Sequence, residues 1–128
     1  MCLGIPNGYN VLSNVPFSII GALGLLWLAR KGRDRLAPAL LPGYAIAFAG
    51  IFLTGFGSAW YHLAPDNATL FWDRLPMAFA FMGLYAAVIG ERVSLPAAAV
   101  LAVPFALIGA ASVIYWRGTD DLRFYALV

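Results

Sequence analysis

The chain has 128 residues, of which 62% are hydrophobic and 11% are charged, and its formal net charge at pH 7 is +2. Soluble domains carry about a quarter of their residues as charged ones, so this composition excludes a soluble globular domain. The small and scattered charge argues against a nucleic-acid partner, and the single cysteine, Cys2, cannot form an internal disulfide. The composition instead indicates a membrane protein with the lipid bilayer as a partner.

Four apolar stretches are each long enough to cross a bilayer as a helix, and they lie at residues 11–29, 39–63, 70–90 and 95–116. Short separators between them hold most of the charges. Residues 122–128 look like the start of a fifth span, so we expect the chain to be a fragment. The sequence therefore predicts an all-α fold, in which residues 1–128 form one multi-pass transmembrane helical bundle with four spans.

Basic residues predict the orientation of this bundle. Five of the eight Lys and Arg residues lie in the first and third loops, and positive charge favours the cytoplasmic side of a membrane. Those five are Arg30, Lys31, Arg33, Arg35 and Arg92. We therefore expect the N-terminus to lie outside the cytoplasm.

The second span carries a stripe of small and polar residues. Gly50, Thr54, Ser58 and His62 follow one another at steps of four, which places them on one helical face. Because polar side chains are costly in hydrocarbon, this face is expected to meet a neighbouring helix or a cavity. His62 is the only histidine in the chain.

Asp73 follows His62 by eleven residues, at the outer start of the third span. A tight turn between the two spans makes them antiparallel neighbours, so we expect Asp73 to return to about the depth of His62. Ser58, His62 and Asp73 can then share one pocket. An imidazole, a carboxylate and a hydroxyl are parts of metal-assisted hydrolysis, although zinc needs about three protein ligands and the sequence offers one histidine.

An ordinary structural interpretation is also open. A single histidine near a span end can be a satisfied interfacial residue, and Asp73 can pair with Arg74 or cap the third helix. Glycines of the first two spans are expected to allow close helix packing. A polar run before the first span is typical of helix capping, and it consists of Asn7, Asn10, Ser13 and Asn14.

Two segments carry a resemblance to a known family, GSAWYHLAPDN at 57–67 and WDRLPM at 72–77. They resemble the first metal motif of the alkaline ceramidases, especially the bacterial members, with a Ser-x-x-x-His and an Asp eleven residues after the His. Residues 10–14, followed by Pro16 and Phe17, also look like the first-helix signature of that family. The ceramidases belong to a superfamily of seven-helix membrane hydrolases that includes the adiponectin receptors and haemolysin-like proteins.

The resemblance implies a seven-helix fold, of which this chain matches roughly the first four helices, in a bacterial inner membrane. It implies one zinc ion held by three histidines, the first of which matches His62. Asp73 matches the proton-handling aspartate, and Ser58 matches the serine beside the metal. The other two histidines have no counterpart here, so we expect this chain alone to bind zinc weakly or not at all and to be inactive. No calcium site is predicted.

The sequence thus predicts a zinc-dependent membrane amide hydrolase that acts on ceramide-like lipids and is incomplete in this chain. The runner-up is a non-enzymatic membrane protein or receptor-like relative, in which the polar stripe mediates helix contacts. A transporter ranks last, because charges suited to ion coupling are missing at mid-depth. The sequence names neither the exact lipid nor the oligomeric state.

Overall fold

The computed structural model describes residues 6–128, and every regular element in that part of the chain is helical. A π-helical turn, Leu28–Gly32, connects the second α-helix to the third, and a 3₁₀ turn, Pro38–Leu40, precedes the fourth. The α-helices, numbered in chain order, are α1 Gly8–Leu12, α2 Val15–Trp27, α3 Arg33–Arg35, α4 Leu41–Leu63, α5 Asn67–Arg92, α6 Leu95–Thr119 and α7 Arg123–Leu127.

Within the described residues, three helical stretches are long and apolar enough to cross a membrane, Gly8–Arg35, Pro38–Leu63 and Leu95–Thr119. They contain the first, second and fourth predicted spans, and they are compatible with a multi-pass membrane protein. The third predicted span lies in α5, which is not apolar enough to count as a membrane-spanning helix. Its charged pairs at 73–74 and 91–92 leave only sixteen uncharged residues between them, which lowers its mean hydropathy. The four-span count and the fifth span stay predictions.

Local signals in the turns decide where the long helices begin. Pro42 and Pro96 lie in the first turns of α4 and α6, where a missing N–H costs little. Asp66 caps α5, because its carboxylate accepts from the Thr69 backbone N–H at 2.6 Å while the Thr69 hydroxyl accepts from the Asp66 N–H at 3.1 Å. The bond from the Thr69 N–H, followed by that from its hydroxyl, holds the pKa of Asp66 below its ordinary value of 3.8.

The interior of the bundle is built mainly from small residues, with a few large ones such as Val113 and Trp116, and many large apolar residues point outward. α4 packs between α2 and α5, and α5 packs against α6. Ala86, Ala87 and Ala102 are 0% exposed, whereas Val100 and Leu107 are 70% and 64% exposed. Small residues at helix contacts with large apolar side chains outside are typical of helices that pack within lipid.

Glycines spaced by seven bring the backbone of α4 against α5. A Cβ added at Gly43 would lie 3.1 Å from the backbone nitrogen of Ala87, and one added at Gly50 would lie 2.8 Å from the Cα of Ala80. Gly57 continues the series. The two helices therefore run antiparallel in one register over the length of α4, and the packing role predicted for Gly50 and Gly57 is confirmed.

Candidate functional site

The register between α4 and α5 fixes the level of Asp73. A Cβ on Gly57 would lie 2.9 Å from the Trp72 carbonyl carbon and 3.3 Å from the Asp73 Cα. Asp73 is therefore level with Gly57 and with the adjacent Ser58. His62 lies five residues further along α4, about 7 Å closer to the end of that helix. The expectation that Asp73 returns to the depth of His62 is wrong by about 1.4 helical turns, because the glycine contacts set a register that spacing does not reveal.

The predicted polar stripe of α4 faces the interior of the bundle. Thr54 and Ser58 are 7% and 9% exposed, and Gly50 is buried as well. The Thr54 hydroxyl donates to the Gly50 carbonyl oxygen at 2.8 Å, so it is satisfied within its own helix. His62, one turn beyond Ser58, is half-buried. The stripe thus meets neighbouring helices, as the sequence predicts.

Asp73 makes neither of the ordinary structural contacts that the sequence allows. The N-cap of α5 is Asp66, and no ion pair joins Asp73 to Arg74 in the described part of the chain. The Arg74 guanidinium instead lies 5.5 Å from the Trp116 ring centre and 4.9 Å from that of Tyr125. Within residues 6–128, the Asp73 Oδ1 is buried without a hydrogen-bond partner. Such an oxygen is costly and is expected to meet a partner in the working protein.

His62 is tied to the segment that precedes α1. Asn7 adopts a left-handed conformation with φ 49°, which asparagine tolerates, and its Nδ2 donates to the His62 carbonyl oxygen at 3.0 Å. That carbonyl belongs to the last turn of α4, where the helix supplies no partner. Asn7 therefore stabilises the end of α4, and its side chain does not cap α1. Across the described ranges, no side-chain hydrogen bond joins His62 to Ser58 or Asp73.

An apolar groove begins at the level of Ser58 and Asp73. Helices α2, α4 and α5 enclose about 300 Å³, and Phe17, Thr54 and Met77 contribute to the lining. Thr54 lies one turn along α4 from Ser58, and Met77 lies one turn along α5 from Asp73. Side chains one turn apart share a helix face, so the polar pair lies one turn beyond the groove-lining Thr54 and Met77. Sequence reasoning missed this groove, since it exists only where three helices meet.

The donor set decides whether these residues can form a zinc site by themselves. A catalytic zinc takes about three protein ligands and one open position. Among the residues that the structure describes, no group of three His, Cys, Asp or Glu side chains could hold a metal ion. His62 offers one imidazole, and Asp73 lies at a different level. The described residues alone therefore do not fit a complete zinc site.

Comparison with protein families places these residues in a known context. A family model described as Ceramidase matches residues 5–128. The chain belongs to the ceramidase family. Both segments that carry the resemblance, 57–67 and 72–77, lie within the matched range, so the family prediction is confirmed. Comparisons of the chain with curated proteins and with solved structures gave no match.

Proposed function

We propose that this member of the ceramidase family contributes to a zinc-dependent membrane hydrolase that cleaves the amide bond of ceramide-like lipids. Membership of the ceramidase family supports a membrane hydrolase with a lipid substrate. The observation that carries the proposal is the Asp73 carboxylate. Among the described residues its Oδ1 is buried without a partner, and Asp73 stands level with the buried Ser58, one turn from the lining of an apolar groove. The family match does not favour the non-enzymatic alternative.

The three site residues have distinct roles in this proposal. Asp73 accepts, at its Oδ1, the proton of the water that attacks the amide carbonyl. The Ser58 hydroxyl orients that water or donates a hydrogen bond to the developing oxyanion. His62 supplies one zinc ligand, and the remaining ligands come from outside the described residues. Zinc, when bound, would polarise the carbonyl and lower the pKa of a water molecule.

The groove supports a lipid substrate of defined orientation. Its walls are almost entirely apolar, which suits a hydrocarbon chain, and Ser58 and Asp73 at one end suit the polar amide. The basic residues at 30–35 and Arg92 lie toward the opposite end of the helices, and they favour the cytoplasm. The proposal therefore places the reacting amide toward the outer face of a bacterial inner membrane.

Zinc content and ceramide hydrolysis test the proposal, with protein made from the complete gene and purified in detergent. We expect about one zinc ion per chain and hydrolysis that stops on chelation and returns with added zinc. His62→Ala should lose both the bound zinc and the hydrolysis. Tyr61→Phe, a change at the neighbouring residue, should keep both. Hydrolysis that survives chelation, or that is undiminished in His62→Ala, would contradict the proposal.

A further inference from the structure

Asn14 is a buried amide at the junction of α1 and α2. It is 5% exposed, and its Nδ2 donates to the Asn10 carbonyl oxygen at 2.7 Å. Asn14 stands at the N-cap position of α2, but its side chain makes no capping hydrogen bond. Among residues 6–128, no donor reaches its Oδ1. The capping interpretation that the sequence favours therefore does not account for the Asn14 side chain.

The register between α2 and α4 brings Asn14 to the level of Ser58. A Cβ on Gly55 would lie 3.0 Å from the Asn14 carbonyl oxygen and 2.9 Å from the Ser18 backbone nitrogen. Since α2 and α4 are antiparallel, Asn14 lies beside the turn of α4 that contains Ser58. Asp73 is at this same level on α5. Three helices therefore contribute one buried or half-buried polar residue each to a single layer, which we call the polar layer.

The polar layer lies about one turn beyond one end of the apolar groove. Phe17 follows Asn14 by about one turn, and it lines the groove together with Thr54 and Met77. Thr54 lies one turn along α4 from Ser58, and Met77 lies one turn along α5 from Asp73. Each helix thus presents a polar residue at the groove end and a groove-lining residue one turn further in. A lipid whose chain fills the groove would bring its linkage group against the polar layer.

From this geometry we infer that Asn14 is a specificity residue that recognises the N–H of the substrate amide. The inference rests on the proposed function. The bond from its Nδ2 to Asn10 fixes the side chain, which leaves Oδ1 as an acceptor. An amide linkage carries an N–H that can donate to this oxygen, whereas an ester linkage carries no such donor. Because the amide N–H supplies the hydrogen bond that this oxygen lacks and an ester supplies none, the site favours amides over esters.

Binding, measured without catalysis, tests the inference. The complete protein is kept metal-free with a chelator in detergent micelles, and the probes are a fluorescent short-chain ceramide and its ester isostere. We expect the wild type to bind the amide roughly threefold to tenfold more tightly than the ester, the effect of one hydrogen bond. Asn14→Ala should lose this preference by weakening amide binding alone. Ser13→Ala is the matched control, since the exposed Ser13 hydroxyl donates to the same Asn10 carbonyl at 2.8 Å, and it should keep the preference.

A second probe needs no substitution. The N-methylated ceramide keeps the amide carbonyl but has no N–H, so the wild type should bind it as weakly as the ester. Equal affinity of the wild type for amide and ester, or an unchanged preference in Asn14→Ala, would overturn the inference while leaving zinc-dependent hydrolysis as a separate result. A wild type that binds neither lipid would overturn the inference and the proposed function together.

Discussion

Replacement of Gly57 by alanine perturbs the contact that sets the level of Asp73. The added Cβ would overlap the Trp72 carbonyl oxygen and lie 2.9 Å from its carbonyl carbon, whereas ordinary van der Waals contacts begin at 3.4 Å. The obstruction is backbone, so no rotamer change relieves it. Helices α4 and α5 must separate or slide by about 1 Å to restore a normal contact.

The expected cost follows from this displacement. Overpacking of a close contact costs about 1–3 kcal/mol, and alanine regains about 0.5–1 kcal/mol over glycine inside a helix. We therefore expect the free energy of unfolding to fall by about 1–2 kcal/mol. Hydrolysis should fall further, by about a hundredfold, because a shift of about 1 Å at reacting groups can cost that much in rate.

Thermal unfolding and ceramide hydrolysis of the complete protein measure the two effects. Gly118→Ala is the matched control, since nothing lies within 4 Å of a Cβ added there. That variant should keep wild-type activity and at least wild-type stability. A Gly57→Ala protein with unchanged unfolding temperature and unchanged activity would refute the close contact between α4 and α5, and with it the assigned level of Asp73.

Two further predictions concern the ends of α5. Because the folded-state pKa of Asp66 lies below its ordinary value of 3.8, its stabilising effect is complete above that pH and is lost as the pH falls below it. The unfolding temperatures of wild type and Asp66→Ala should therefore differ at about pH 7 and converge at about pH 2; a gap that stays constant would contradict this. Arg74→Ala removes cation–π contacts with Trp116 and Tyr125, worth about 0.5–2 kcal/mol each, so hydrogen exchange at residues 123–127 should accelerate. Arg92→Ala, at the other end of α5, should leave that exchange unchanged. Equal exchange rates in both variants would show that Arg74 does not hold residues 123–127 in place.

Apolar length and proline positions predict much of the helical architecture, but they do not predict every boundary. The predicted spans at 39–63 and 95–116 lie close to α4 and α6, whose first turns carry prolines. Helix α5 begins at Asn67, three residues before the predicted 70, because the capping box of Asp66 and Thr69 extends the helix past the apolar run. A hydropathy window detects apolar surface, and such a cap is polar.

The sequence indicates candidate site residues and only part of their geometry. The motif spacing indicates Ser58, His62 and Asp73, and the structure places Ser58 and Asp73 at one level. The level of His62 was not predictable, because the register depends on which glycines touch the neighbouring backbone. The hydrogen bond from Asn7 to His62 and the packing that buries Asn14 both depend on segments that are far apart in sequence. No local pattern encodes such contacts.

The most direct test of the central claim replaces Asp73 with asparagine in the complete protein. Asparagine keeps the shape of the side chain but cannot take up the proton of an attacking water. We expect ceramide hydrolysis to fall by about 10²–10⁴-fold, while bound zinc and the unfolding temperature stay at their wild-type values. Hydrolysis by Asp73→Asn at the wild-type rate would contradict the account.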